Sequence, residues 1–292
     1  MAYTTINNPE LHFQTLIWTG DGGSKSFTLD GSENMQPDWV WSKARESLSI
    51  ITGSHFLFDS VRGAGAEKEL RSNVADAEGS SANQVYGYVS SFDSDGFTTT
   101  AGSSNNDYFN KSSIKYVAWN WKAGGSASSN SDGSITTTVS VNQTAGFSIM
   151  KYAGNSTNST IGHGLGASPE FIIFKEIDGG ESWRVHSIYT PNNSSNTLSL
   201  NSTSAAFSQS NWISAISSST ISIGTDSSFN TSGNNYIAYT FASKQGYSKF
   251  GKYTGNGSSD GPFIYTGFRP AFILYKNTST ADSWFLHDNK RQ

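Results

Sequence analysis

One phrase is written three times along this 292-residue chain, so whatever the chain folds into is modular. Copy two reads Tyr152-Ala153-Gly154, then Pro169-Glu170-Phe171-Ile172-Ile173-Phe174-Lys175, then Trp183. Copy three reads Tyr253-Thr254-Gly255, then Pro270-Ala271-Phe272-Ile273-Leu274-Tyr275-Lys276, then Trp284. In both, Gly and Pro are 15 residues apart, Pro and Lys 6, and Lys and Trp 8. Copy one, Trp18-Thr19-Gly20 and Pro37-Asp38-Trp39-Val40-Trp41-Ser42-Lys43, keeps the step of 6 but has 17 residues before it.

The phrase reads as β structure. Pro cannot donate to a sheet ladder and suits the first position of a strand. The apolar run after it fills a core, Lys returns the chain to water, and the downstream Trp ties a second sheet to the first. Gly154 and Gly255 end a strand where a turn asks for positive φ. Phe147–Tyr152, Trp183–His186, Thr197–Leu200, Thr220–Ile223 and Tyr236–Phe241 read as further strands, and Tyr116–Trp121 closes copy one with the same rhythm. Glu67–Ala77 is the best helical candidate. The expectation is an all-β protein of tandem antiparallel β-sandwich (jelly-roll) modules. The divisions are an N-terminal arm at 1–14, repeat 1 at 15–123, a flexible Gly/Ser linker at 124–133, repeat 2 at 134–243, and a partial repeat 3 at 247–292. The third module is incomplete, leaving strand edges unpaired.

Composition excludes several classes. Only 14% of residues are charged and the net charge is −4, which argues against nucleic acid as a partner. With no cysteine there is no disulfide or thiolate metal site. No apolar run reaches the roughly 18–20 residues of a membrane span, and Met1–Thr5 lacks a signal-peptide pattern, so synthesis in a cytoplasm without membrane insertion is expected. Gly20–Ser26 lacks the Gly before Lys-Ser that a phosphate loop requires and reads as a hairpin turn. Asp93-Ser94-Asp95-Gly96 lacks the remaining calcium ligands and reads as a turn. His186 and His287 follow their Trp by three residues and read as equivalent packed, hydrogen-bonded side chains. Glu67, Glu69, Asp178 and Glu181 show no pairing suited to glycosidase chemistry. No catalytic, cofactor or metal residue is assigned, and the chain reads as a non-enzyme. Trp18, Trp119, Trp121 and Trp212 are the candidates for stacking on sugars, with core packing the ordinary role of such rings.

Ile161-Gly162-His163-Gly164-Leu165-Gly166, Ser168–Lys175, Ser182–His186, Leu198–Asn201 and Tyr236–Phe241 together resemble a repeat of structural proteins from marine tailed bacteriophages. The opening Met1–Pro9 resembles the start of such proteins. The likeness spans nearly the whole chain after residue 15; copy one departs from it, lacking His-Gly-Leu-Gly. It implies concanavalin A-like (lectin/glucanase) sandwiches, location in the virion and assembly as multimers, and it carries no catalytic residue to transfer. The leading expectation is a tail fibre or appendage, a homo-oligomer such as a trimer, contacting host surface glycans and other virion proteins. The alternative is a purely architectural head decoration or tail connector.

Overall fold

The computed structural model describes residues 4–46 and 54–291; the Met1–Tyr3 part of the expected arm and Gln292 lie outside the described residues. Copy one forms β1 (Phe13–Thr19), β2 (Lys25–Thr28), β3 (Trp39–Ala44), β4 (His55–Asp59), β5 (Leu70–Arg71), the single turn α1 (Asn83–Tyr86), β6 (Tyr88–Asp93), β7 (Gly96–Thr100) and β8 (Lys115–Trp121). They make a five-stranded sheet, β1-β8-β3-β4-β5, and a three-stranded one, β2-β7-β6. Leu16, Val40, Phe56 and Tyr116 of the first meet Phe27, Val89 and Phe97 of the second in one buried cluster.

Copy two repeats the plan with β9 (Ser128–Asn130), β10 (Thr137–Asn142), β11 (Phe147–Ala153), β12 (Ser159–Gly162), β13 (Phe171–Glu176), β14 (Arg184–Ser187), β15 (Asn196–Ser199), β16 (Phe207–Ser208), β17 (Ile213–Ile216), β18 (Thr220–Ile223), the single turn α2 (Ser227–Asn230) and β19 (Asn235–Phe241). The order β11-β19-β13-β14-β15 matches copy one and is widened by β10 and β9 on one edge and β16 on the other. A three-stranded sheet, β12-β18-β17, covers its outer face through Met150, Ile172, Phe174, Ile221 and Phe229. Copy three forms only the hairpin β20 (Phe272–Lys276) and β21 (Trp284–Asp288). All the sheets are antiparallel, and the all-β sandwich expectation holds.

The two large sheets face each other, and the hairpin of copy three packs against the same core. Trp39, Trp41, Trp119 and Trp121 of copy one meet Phe147, Ile173, Trp183, Ile237 and Tyr239 of copy two, with Phe272, Trp284 and Leu286 of copy three at the margin. Trp39 stacks on Tyr239 with ring centroids 4.3 Å apart. Phe272, the counterpart of Trp39, packs against Trp119 and Trp121 of copy one. Phe171, the counterpart in copy two, stacks on Phe250 of copy three, centroids 5.7 Å apart. The aromatic after each Pro thus reaches into the next copy, one to two, two to three, three to one. Such offset pairs add about 0.5–1.5 kcal/mol each beyond the area they bury.

The hydrogen bonds repeat with the same direction. From copy two to copy one, Trp183 Nε1 donates to the Arg71 carbonyl at 2.9 Å and Lys175 Nζ to that of Ala75 at 3.1 Å, while in return Glu78 N of copy one donates to Ile177 O at 2.8 Å. From copy three to copy two, Trp284 Nε1 donates to Ser199 O at 2.9 Å and Lys276 Nζ to Thr203 O at 3.1 Å, while in return Ala206 N of copy two donates to Thr278 O at 3.0 Å. These are the same positions, since Arg71 and Ser199 sit opposite Phe56 and Arg184 in matching registers. Asp59 accepts from the Val61 and Arg62 amides, from Arg62 Nε at 2.5 Å and from the Tyr239 hydroxyl of copy two at 2.7 Å. Asp288 accepts from the Lys290 and Arg291 amides, from Arg291 Nε and from Trp119 Nε1 of copy one at 3.0 Å. Burial opposes the charge of Arg62, but Asp59, Tyr239 and Glu78 outweigh it and its pKa is raised.

Four expectations are corrected. Glu67–Ala77 is not helical: it carries β5, because Leu70 belongs to the core between the large sheets. Lys175 does not return to water; it is buried, and its ammonium donates to the carbonyls of Ala75, Gly179 and Glu181. Neither Gly154 nor Gly255 has a positive φ; at Gly154 a Cβ would lie 2.3 Å from Thr231 O, so close backbone approach demands the glycine. The segment 124–133 is fastened rather than free: β9 pairs with β10, and the Gly125 amide donates to Asp38. Residues 4–12 of the arm fold onto their own chain, with Ile6 buried and the His12 ring edge-on to Tyr247.

Candidate functional site

A concavity lies on copy two, where the edge of the small sheet meets the loops around β15 and β16. It is an open cleft of about 820 Å³. Its walls are hydroxyls and amides, among them Ser134, Asn158, Ser195, Gln209 and Asn211, and its floor is Trp212, Ile213 and Ile223. No Asp, Glu, Lys, Arg or His lines it. That follows from local sequence. Ser and Asn dominate the turns between strands, because their short side chains bond nearby backbone and tolerate left-handed φ. Asn192 and Asn211 both take φ of 50°.

The walls are braced from behind. Gln209 N donates to Ser195 O at 2.7 Å, and Gln209 Nε2 bonds Asp226 Oδ2. Asp226 also caps α2 by accepting from Ser228 N at 2.9 Å. Asn155 Nδ2 holds Ser159 Oγ at 2.9 Å. A Cβ on Gly224 would lie 2.1 Å from Asn211 O, so glycine lets the β18 end approach the Asn211 turn. Below the floor, the Trp212 ring meets Phe229 edge-on, centroids 5.0 Å apart, and the His186 ring at 6.3 Å. Neither ring nitrogen of His186 has a partner among the described residues, nor has Trp212 Nε1. Burial lowers the His186 pKa to about 4, so the ring is neutral at pH 7 and the floor stays uncharged.

The structure does not bring the sugar-stacking candidates together. Trp119 and Trp121 are buried between the large sheets. Trp18 is half-buried, stacked on Tyr116 and donating to Phe109 O at 2.8 Å. Trp212 alone borders a cleft, and only 4% of it is exposed. Aromatic residue type cannot separate a ring on a surface from one in a core; the period-two pattern around Trp119 and Trp121, inward at alternate positions, was the available signal. The polar wall was missed because Ser and Asn are abundant everywhere in this sequence. His186 and His287 are equivalent, opposite Ile172 and Ile273, but His186 is not hydrogen-bonded as expected. Asp93 and Asp95 serve the turn between β6 and β7, Asp93 accepting from Thr98 Oγ1 and Asp95 from Met35 N. Among the described residues no group of three or more His, Cys, Asp or Glu gathers at metal-binding distance, and no helix is long and apolar enough to cross a membrane.

A family model, the domain of unknown function DUF7483, matches residues 8–292. The chain belongs to this family. No curated protein and no solved structure matches this DUF7483 chain.

Proposed function

We propose that this DUF7483 protein is a phage virion component, a tail fibre or appendage, whose copies present neutral clefts to host surface glycans. The observation that carries the reading is the cleft over Trp212. Its hydroxyl and amide walls suit the alternating donors and acceptors of sugar hydroxyls, and it lacks charge that would favour an ionic ligand. The sequence likeness to phage structural repeats supplies the virion setting. A single open cleft of this kind binds weakly. Several on a homo-oligomer such as a trimer would act together, with avidity gains of about 10²–10⁴.

The test is binding of the purified chain to a neutral-glycan array, beside Gln209→Ala and Asn211→Ala. The expected result is saturable binding to a subset of neutral glycans, weakened at least about tenfold by either substitution. Absence of binding to both glycans and host cells would overturn it. The second reading is a purely architectural virion role. It is favoured by the cluster of exposed Phe263, Ile264 and Tyr265, which suits contact with protein rather than sugar.

A further inference from the structure

Copy three keeps residues whose purpose in copies one and two is to meet a closing segment. Gly20 and Gly154 are glycines because the backbone just before the closing strand approaches them. A Cβ would lie 2.0 Å from Lys111 O in the first case and 2.3 Å from Thr231 O in the second. The counterpart Gly255 has no atom within 4 Å of that position. Tyr152 is 3% exposed beneath its closing segment, while its counterpart Tyr253 is 53% exposed. Ile172 is buried at 0% where its counterpart Ile273 is 46% exposed.

Both edges of the hairpin are also unpaired among the described residues. In copies one and two the strand equivalent to β20 pairs on one side with β8 or β19, and the strand equivalent to β21 pairs with β5 or β15. Copy one faces the other open edge of the hairpin, the β21 side, where copies one and two carry β5 and β15. Lys43 and His55 occupy the positions of Lys175 and Trp183, which donate to carbonyls of the preceding copy. Among the described residues Lys43 Nζ instead meets only His55 Nε2 at 3.2 Å. A cleft of about 230 Å³ opens there, where Trp41 and His55, Leu200, and Leu274 and Trp284 of the three copies converge.

We propose that copy three takes up, alongside β20, a closing segment of this same repeat: an Asn-bearing turn followed by a strand of the form Tyr-x-Ala-aromatic-x-aromatic. Recognition would be strand addition at a free edge, with ladder hydrogen bonds giving affinity and the alternate aromatics entering the shared core. The occupant is specified by continuity with the two junctions already formed. There, Trp39 stacks on Tyr239, and Phe272 rests on Trp119 and Trp121; Phe171 meets Phe241 of its own copy and Phe250 but, among the described residues, no closing-strand aromatic of copy three. The proposal does not depend on glycan binding.

The test is titration of the chain with a synthetic peptide copying residues 227–242, which carries Asn230, Thr231 and Tyr236–Phe241. Saturable binding is expected, with amide exchange at Phe272–Lys276 slowed at least about tenfold. Gly255→Val should leave the melting temperature of the free chain unchanged and weaken the peptide at least about tenfold, because its side chain would meet the peptide's Thr231 carbonyl. A second arm extends the chain after Arg291 with a copy of residues 191–243; it should protect β20 in the same way and bury Tyr253. No saturable binding together with no protection in the extended chain overturns the proposal. So does peptide binding indifferent to Gly255→Val, or protection of β20 that grows with chain concentration alone, the sign of a second copy on that edge.

Discussion

Copies two and three use nearly the same words and reach different ends. Ile172, Phe174 and Trp183 of copy two are sealed between sheets, whereas Ile273 and Phe285 of copy three are exposed. The phrase from Pro to Trp therefore specifies a hairpin, and nothing more by itself. Burial is conferred by the small sheet and the closing strand, which lie outside the phrase. The aspartate at the hairpin end shows the same contrast. The Asp59–Arg62 pair has side-chain exposures of 0% and 1%, while in Asp288–Arg291 the arginine is 23% exposed.

The largest expected break in the comparison comes from that pair. Asp59→Ala leaves the Arg62 guanidinium and the Tyr239 hydroxyl buried without their acceptor, and should cost about 3–5 kcal/mol. Asp288 is as buried as Asp59, but its arginine partner reaches water, so Asp288→Ala should cost less, about 1–3 kcal/mol, chiefly for the Trp119 N–H left without its acceptor. Denaturant midpoints of the two variants measure the difference; equal costs would mean that the copies are equally enclosed.

Acid should act on both copies, through His55 of copy one, whose pKa burial, with Lys43 and Arg291 nearby, lowers to about 3, and through His186 of copy two. The His186 pKa is about 4 in the fold against an ordinary value near 6.5. Between these values the unfolded chain binds the proton and the folded chain does not, so stability falls as pH drops from 6.5 towards 4. The total is about 3 kcal/mol. His186→Leu should remove this part of the acid slope while changing stability at pH 7 by less than about 1.5 kcal/mol, since the ring has no partner to lose. An unchanged slope in a pH series of urea melts would contradict the placement.

Next is the strand-end glycine. Gly154→Ala forces a methyl against the Thr231 carbonyl and should cost about 1–3 kcal/mol. Gly255→Ala meets nothing within 4 Å and should leave the melting temperature in place. Trp183→Phe falls between them: it keeps most of the packing but drops the bonds to Arg71 O and Val74 O, for about 1–2 kcal/mol. A thermal-melt series ranks the three.

Much of the architecture was legible in the sequence. Alternation marked β11, β18 and β19, and Pro followed by an apolar run marked β13 and β20, because a pleat sets a period of two and Pro disrupts a ladder. The junctions between copies were not legible. Lys175 looks like any lysine at a strand end, and only three-dimensional proximity shows that Ala75 O, 100 residues earlier, accepts its hydrogen bond. Glu67–Ala77 has helix-forming residues, but the hold of Leu70 on the core overrides propensity. The cleft was hidden for the opposite reason: its walls are mostly Ser and Asn, which are abundant throughout this chain, and their convergence depends on two left-handed Asn turns.

The central claim is that copies one and two share a single core rather than standing as beads on a linker. Calorimetric unfolding tests it most directly. A shared core containing Trp39, Trp119, Trp183 and Tyr239 predicts one transition for residues 13–241, with calorimetric and van't Hoff enthalpies equal. Two resolved transitions, each surviving when the other copy is unfolded, would contradict it.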